Sequence, residues 1–120
     1  MNNQEAFDKM VRHLHKQEWK QSVDSDGFCA YRGEYGAMCA VGALITDEEY
    51  EPSMDDENLT AVMLVRRFGL LSGVDKQLLI EMQDFHDGEM KDSSQGECLE
   101  YLEDMAKSHG LSNAVLEEIY

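Results

Sequence analysis

The chain of 120 residues carries twenty-five acidic side chains against ten basic ones, a net charge of −15. A field of that sign repels nucleic acid and anionic membranes, so direct nucleic-acid binding is not expected. The length supports one core without disulfides and reads as a single domain, residues 1–120.

Residues 4–19 read as an amphipathic helix. Phe7, Met10, Val11 and Leu14 recur at helical spacing on one stripe, with Trp19 closing it. Lys9, Arg12, Lys16 and Lys20 make its outer face basic, and Arg32 adds to this local patch. His13 and His15 stand two apart and point to different faces, which makes them poor joint metal ligands. Ser22-Val23-Asp24-Ser25-Asp26-Gly27 is a turn whose Asp side chains bond local amides. It is not a calcium loop: with Gly27 at the sixth position, Gly33 falls where the bidentate glutamate belongs and Glu34 misses by one.

Phe28–Tyr31 and Ala37–Ala40 are expected to pair as a short hairpin around Gly33-Glu34-Tyr35-Gly36. Val41-Gly42-Ala43-Leu44-Ile45 should follow as a buried helical turn of small residues. Thr46 and Glu49 fit a capping box before Tyr50, and Pro52 ends that element. An acidic loop spans residues 53–58. A helix is expected over 58–69, capped by Asn58 and ended by Gly69, with Ala61, Leu64, Val65 and Phe68 inward. A second covers 75–87 with Leu78, Leu79, Met82 and Phe85 inward. Residues 88–96 form a polar loop. A third helix covers 97–109 with Cys98, Tyr101, Leu102, Met105 and Ala106. Ser112 caps a short last helix with Val115, Leu116 and Ile119. The fold class is therefore mainly α: five or six short helices packed around a small β-hairpin, or α+β if the hairpin is extended.

The charge is concentrated. Residues 1–45 hold six acids and five bases, whereas residues 46–120 hold nineteen acids and five bases. The second half suits a basic surface on a partner protein. The side chains offered to that partner are Asp47, Glu48, Glu51, Asp55, Asp56, Glu57, Glu100, Glu103 and Asp104. Methionine-rich faces around Met63, Met82 and Met105 are the feature a homodimer would use.

Three cysteines without a Cys-x-x-Cys pair read as free thiols acting as small hydrophobes. The N-terminus lacks a basic region followed by an apolar one, and no apolar run approaches the roughly 20 residues of a membrane span. The expected location is the cytoplasm, and no cofactor is expected. The alternative chemistry is a metal site or small active site drawing on Cys29, Cys39, His86 and Asp87. Zinc accepts Cys and His, and a His–Asp pair serves acid–base work. The plainer reading makes His86 a helix-terminal cation and Asp87 a solvent-facing acid. No glycine loop has phosphate-binding spacing.

The run Cys29-x-Tyr31-Arg32, then Gly36-x-x-Cys39-Ala40-Val41-Gly42-x-Leu44-Ile45-x-Asp47-x-Glu49-Tyr50, resembles a group of small proteins encoded in bacteriophage and bacterial genomes. Phe85-His86-Asp87 and His109-Gly110-Leu111 extend the resemblance over most of the chain, the central motif being its specific part. The resemblance implies a phage or prophage setting and a bacterial cytoplasm, and it carries no catalytic role. The group often has a further cysteine where this chain has Ala43; were that cysteine a ligand or catalytic, its absence would argue against metal or chemistry at this site. The expected function is thus a phage-type acidic interaction protein that binds a basic surface of a host protein, such as a nucleic-acid-binding or defence protein.

Overall fold

In a computed structural model, which describes residues 1–119, the chain forms six α-helices, with one long connection between the first and the second and short ones after that. They are α1 (Asn3–Lys16), α2 (Ser53–Asp56), α3 (Ala61–Phe68), α4 (Lys76–Asp87), α5 (Gln95–Ser108) and α6 (Ala114–Glu117). Short 3₁₀ turns occupy Glu34–Gly36, Gly42–Leu44 and Glu89–Asp92.

Local chemistry sets the helix starts. Asn2 and Glu5 cap α1 reciprocally, Thr60 caps α3, Asp75 caps α4, and Ser94 with Glu97 closes a capping box on α5. Gly69 ends α3 in the left-handed region at φ 67°. The expected stripe of α1 is fully buried: Phe7, Met10, Val11 and Leu14. They join Leu64 of α3, Leu78, Leu79, Met82 and Phe85 of α4, and Cys98, Leu102, Met105 and Ala106 of α5 in one core. α1 packs on the Gly42–Leu44 turn and on α6, while α3 packs on α4.

Several boundaries differ from expectation. α1 stops at Lys16 because Glu18 and Trp19 both turn left-handed, each at φ 59°. The acidic stretch 53–58 is not a loop throughout, since Pro52 opens the single turn of α2. α3 begins at Ala61 because Asn58 sits in a left-handed turn at φ 51° and Thr60 supplies the cap. Residues 88–96 are more ordered than a polar loop: Met90 is buried and Ser94 already starts α5. Met82 and Met105 are core residues, and Met63 is the exposed member of that trio.

The hairpin is the main correction. Among the described residues there is no strand, only one isolated antiparallel bridge between Val23 and Cys29. The turn at 33–36 exists, closed by Gly33 N–H donating to Ala37 O at 2.9 Å. Side chains then take the bonds a partner strand would have made. The Gln17 amide accepts from Met38 N–H at 3.0 Å and donates to Met38 O at 3.0 Å. Asp55 accepts from Tyr31 N–H at 2.7 Å and from Arg32 N–H at 3.1 Å. The 28–31 segment instead folds back on residues 22–24, with Ala30 N–H donating to Ser22 O at 3.0 Å. The Asp24 turn is as expected: its Oδ1 accepts from the amides of Asp26 and Phe28.

Gly42 explains the small-residue turn. A Cβ there would stand 2.5 Å from Tyr31 O. Only a residue without a side chain lets the two segments approach so closely. Arg32 then binds them, donating to Gly42 O at 2.8 Å and Ile45 O at 2.7 Å. No helix among the described residues is long and apolar enough to cross a membrane.

Candidate functional site

The last turn of α4 carries Gln83, His86 and Asp87 toward the folded-back segment 22–31. His86 is completely buried. Its Nε2 accepts from Ser22 N–H at 3.0 Å, so that nitrogen carries no proton. The proton lies on Nδ1, which donates to Asp87 Oδ1 at 2.8 Å. Gln83 Nε2 donates to the same oxygen at 3.1 Å, and Gln83 Oε1 accepts from Val41 N–H at 3.2 Å. Gln21 donates to the carbonyls of His86 and Asp87. One chain of bonds therefore ties α4 to both the Ser22 and the Val41 segments. Among the described residues, every buried side-chain nitrogen and oxygen has a hydrogen-bond partner.

This network forms one wall of a cleft of about 470 Å³. Cys29, Tyr31 and Cys39 line it from the central motif, Met54, Asp55 and Leu59 from the α2 region, Val62 from α3, and Ile80, Gln83, Asp84 and Asp87 from α4. Three of the four residues named for chemistry, Cys29, Cys39 and Asp87, thus meet at one cleft, with His86 directly behind Asp87.

Their chemistry runs against catalysis. All three cysteines are free; Cys29 is exposed, whereas Cys39 and Cys98 are buried. Partial desolvation against the cleft wall first, and then the Asp87 charge, push the Cys29 thiol up to about 11, although the residue as a whole is exposed. Burial pushes the Cys39 thiol up to about 12. An activated nucleophile needs a base or a cation beside sulfur. Here a carboxylate stands beside Cys29, and the imidazole has no surface exposed to a substrate. One ligand atom each from Cys29, His86 and Asp87 lies within 4.8 Å of the others, which is close enough for a metal ion. A metal on Nδ1, however, would move the imidazole proton to Nε2, where it would face the Ser22 N–H. The buried amide would then lose its acceptor, at a cost of roughly 1–3 kcal/mol. The trio fits the role of a structural latch better than that of an ion cage.

The acidic candidates divide. Glu100, Glu103 and Asp104 stand exposed on α5, at spacings that share one helix face. Asp47, Glu48, Glu51, Asp56 and Glu57 are also exposed. Asp47 pairs with Arg32 at 3.2 Å and Glu57 with Arg67 at 2.9 Å. Asp55 is different. Its carboxylate also accepts from Tyr50 Oη at 2.6 Å, so it holds the motif together from inside. Asp84 is legible as the start of the polar cluster Asp84-Phe85-His86-Asp87 but not as a cleft residue, and Gln83 was not legible at all. The only signal joining them to the site is their spacing from Asp87, which puts all three on one face of α4. The basic residues Lys16 and Lys20 line a second groove of about 630 Å³, with Tyr35 at its edge.

Comparison with family models, curated proteins and solved structures finds no match. The site therefore rests on its own geometry.

Proposed function

We propose that the protein is a non-catalytic, phage-type acidic interaction protein that binds a basic surface of a host protein in the bacterial cytoplasm. Blocking a nucleic-acid-binding or defence protein is the role this chemistry suits. The observation that carries the reading is charge: residues 46–120 hold nineteen acids against five bases. The exposed row Glu100, Glu103 and Asp104 on α5 supports it, as does a cysteine cleft whose thiols are held protonated. Charges at an interface rim mostly steer association and are screened over about 10 Å at 0.1 M salt.

The test is capture from bacterial lysate on the immobilised protein at low and at high salt. A basic protein should be retained at low salt and released at high salt. Changing Glu100, Glu103 and Asp104 together to glutamine should weaken its retention. Capture of no basic protein at low salt would count decisively against the proposal.

A second reading follows from the approach of Cys29, His86 and Asp87: a metal-binding protein or small enzyme. It requires His86 to give up its bond from Ser22. Elemental analysis of the purified protein, with thermal unfolding in the presence of a chelator, separates the two.

A further inference from the structure

We infer that the cleft between the 28–31 segment, α3 and α4 receives an arginine side chain of the partner, and so forms the anchoring point of the interface. This rests on the reading of the protein as a binder of basic surfaces, and it names the place where that binding is centred.

The cleft combines two properties. Its floor is apolar: Ala30, Cys39, Met54 and Leu59 are all buried and contribute to the lining. Among the described residues three carboxylates also line it, Asp55, Asp84 and Asp87, and no lysine or arginine does. Asp84 and Asp87 are exposed and can meet an occupant, whereas Asp55 is already spent on the amides of Tyr31 and Arg32 and on Tyr50 Oη. His86 brings no compensating charge, because its Nε2 is occupied by the Ser22 amide. The nearest cations are committed or peripheral. Arg32 spends its guanidinium on the carbonyls of Gly42 and Ile45 and on Asp47. Lys91 is exposed and acts on Cys29 only weakly. An occupant must therefore bring an apolar stem and a cationic head, which describes an arginine or lysine side chain.

The arrangement of the acids favours arginine. Asp84 and Asp87 stand three residues apart on α4, so their carboxylates emerge from one face. Both nitrogen donors to Asp87, from His86 and Gln83, fall on Oδ1. A planar guanidinium presents several N–H groups in a fork and spans two oxygen acceptors, which a point ammonium cannot do. Arginine seated in a desolvated pocket is also a typical interface anchor.

The probe is a short peptide, acetyl-Ala-Arg-Ala-amide, beside the same peptide with citrulline, its neutral isostere. Two readouts report the cleft: backbone amide shifts in a two-dimensional NMR spectrum, and the rate of alkylation of Cys29, the exposed cysteine of the three. The arginine peptide should shift Val62, Ile80 and Asp84 and slow Cys29 alkylation, while the citrulline peptide does neither. Asp84→Asn, an exposed substitution compatible with folding, should weaken the arginine response by up to about fivefold. Val62→Trp should fill the cleft and abolish it. Equal responses to both peptides, or shifts confined to α5, would overturn the inference. If Glu100, Glu103 and Asp104 prove necessary for capturing the host protein but Asp84→Asn and Val62→Trp leave capture unchanged, the interaction reading stands and the arginine cleft falls.

Discussion

Arg32 is the residue whose role reaches furthest from its own position. It donates to Gly42 O and Ile45 O, contacts Asp47, and lies over the Tyr50 ring with its guanidinium carbon 4.8 Å from the centroid. Its backbone N–H meets Asp55, which in turn holds Tyr31 and Tyr50. Lysine offers one rotatable ammonium in place of a rigid fork and cannot serve both carbonyls from the same position. Arg32→Lys should therefore cost about 2 kcal/mol, read as a lower denaturation midpoint with an unchanged slope. Asp47→Asn should cost well under half as much, because that carboxylate is 94% exposed. The contrast separates motif residues that hold the backbone from those that face solvent, although both stand in the same short run of sequence.

At the scale of elements, most helices were legible because each obeys a local rule. The stripe of Phe7, Met10, Val11 and Leu14 identifies α1, and Gly69 marks the end of α3. The hairpin was not legible. Glycines and apolar residues around a turn read equally as strands or as irregular chain. The choice was made by distant side chains, Gln17, Asp55 and Gln83, that no local pattern connects to residues 28–41. The candidate site was half legible for the same reason. Cys29, Cys39, His86 and Asp87 could be named, but the buried bond from Ser22 that fixes the His86 proton spans 64 positions. The start of α5 was misplaced although its capping box, Ser94 to Glu97, is printed in the sequence, because the polar run before it reads as loop. Ser94→Ala should cost about 1 kcal/mol, whereas Ser72→Ala, at an exposed turn position outside any cap, should cost distinctly less; thermal unfolding of the two variants gives the comparison.

The whole molecule carries its charge and its buried hydroxyls and thiols as a single response to pH. Burial raises the Cys39 thiol to about 12, partial desolvation and the Asp87 charge raise the exposed Cys29 thiol to about 11, and desolvation also raises the Tyr31 and Tyr50 phenols. An unfolded thiol releases its proton near pH 8.5, roughly. Above that point the folded chain binds more protons than the unfolded one, so its stability falls as pH rises toward these values. Below it, these groups are protonated in both states and add no pH dependence. Denaturant titrations from pH 7 to pH 10 should show the midpoint falling, with the steepest part at the alkaline end. Added salt at neutral pH should raise stability, because it screens repulsion among acids that outnumber bases by fifteen.

Trp19 is the chain's one tryptophan, and its left-handed backbone places the indole at a three-way seam. The ring meets His15 of α1 at 5.9 Å between centroids and the edge of Phe85 of α4 at 6.5 Å, while its Nε1–H donates to Gln95 of α5. Tryptophan emission, excited selectively over the tyrosines, therefore reports the closure of α1, α4 and α5 upon one another, since Trp19 does not line the arginine cleft. An emission change on adding a partner would mean that the bundle itself had shifted, whereas a silent tryptophan beside a protected Cys29 would mean docking onto a rigid body.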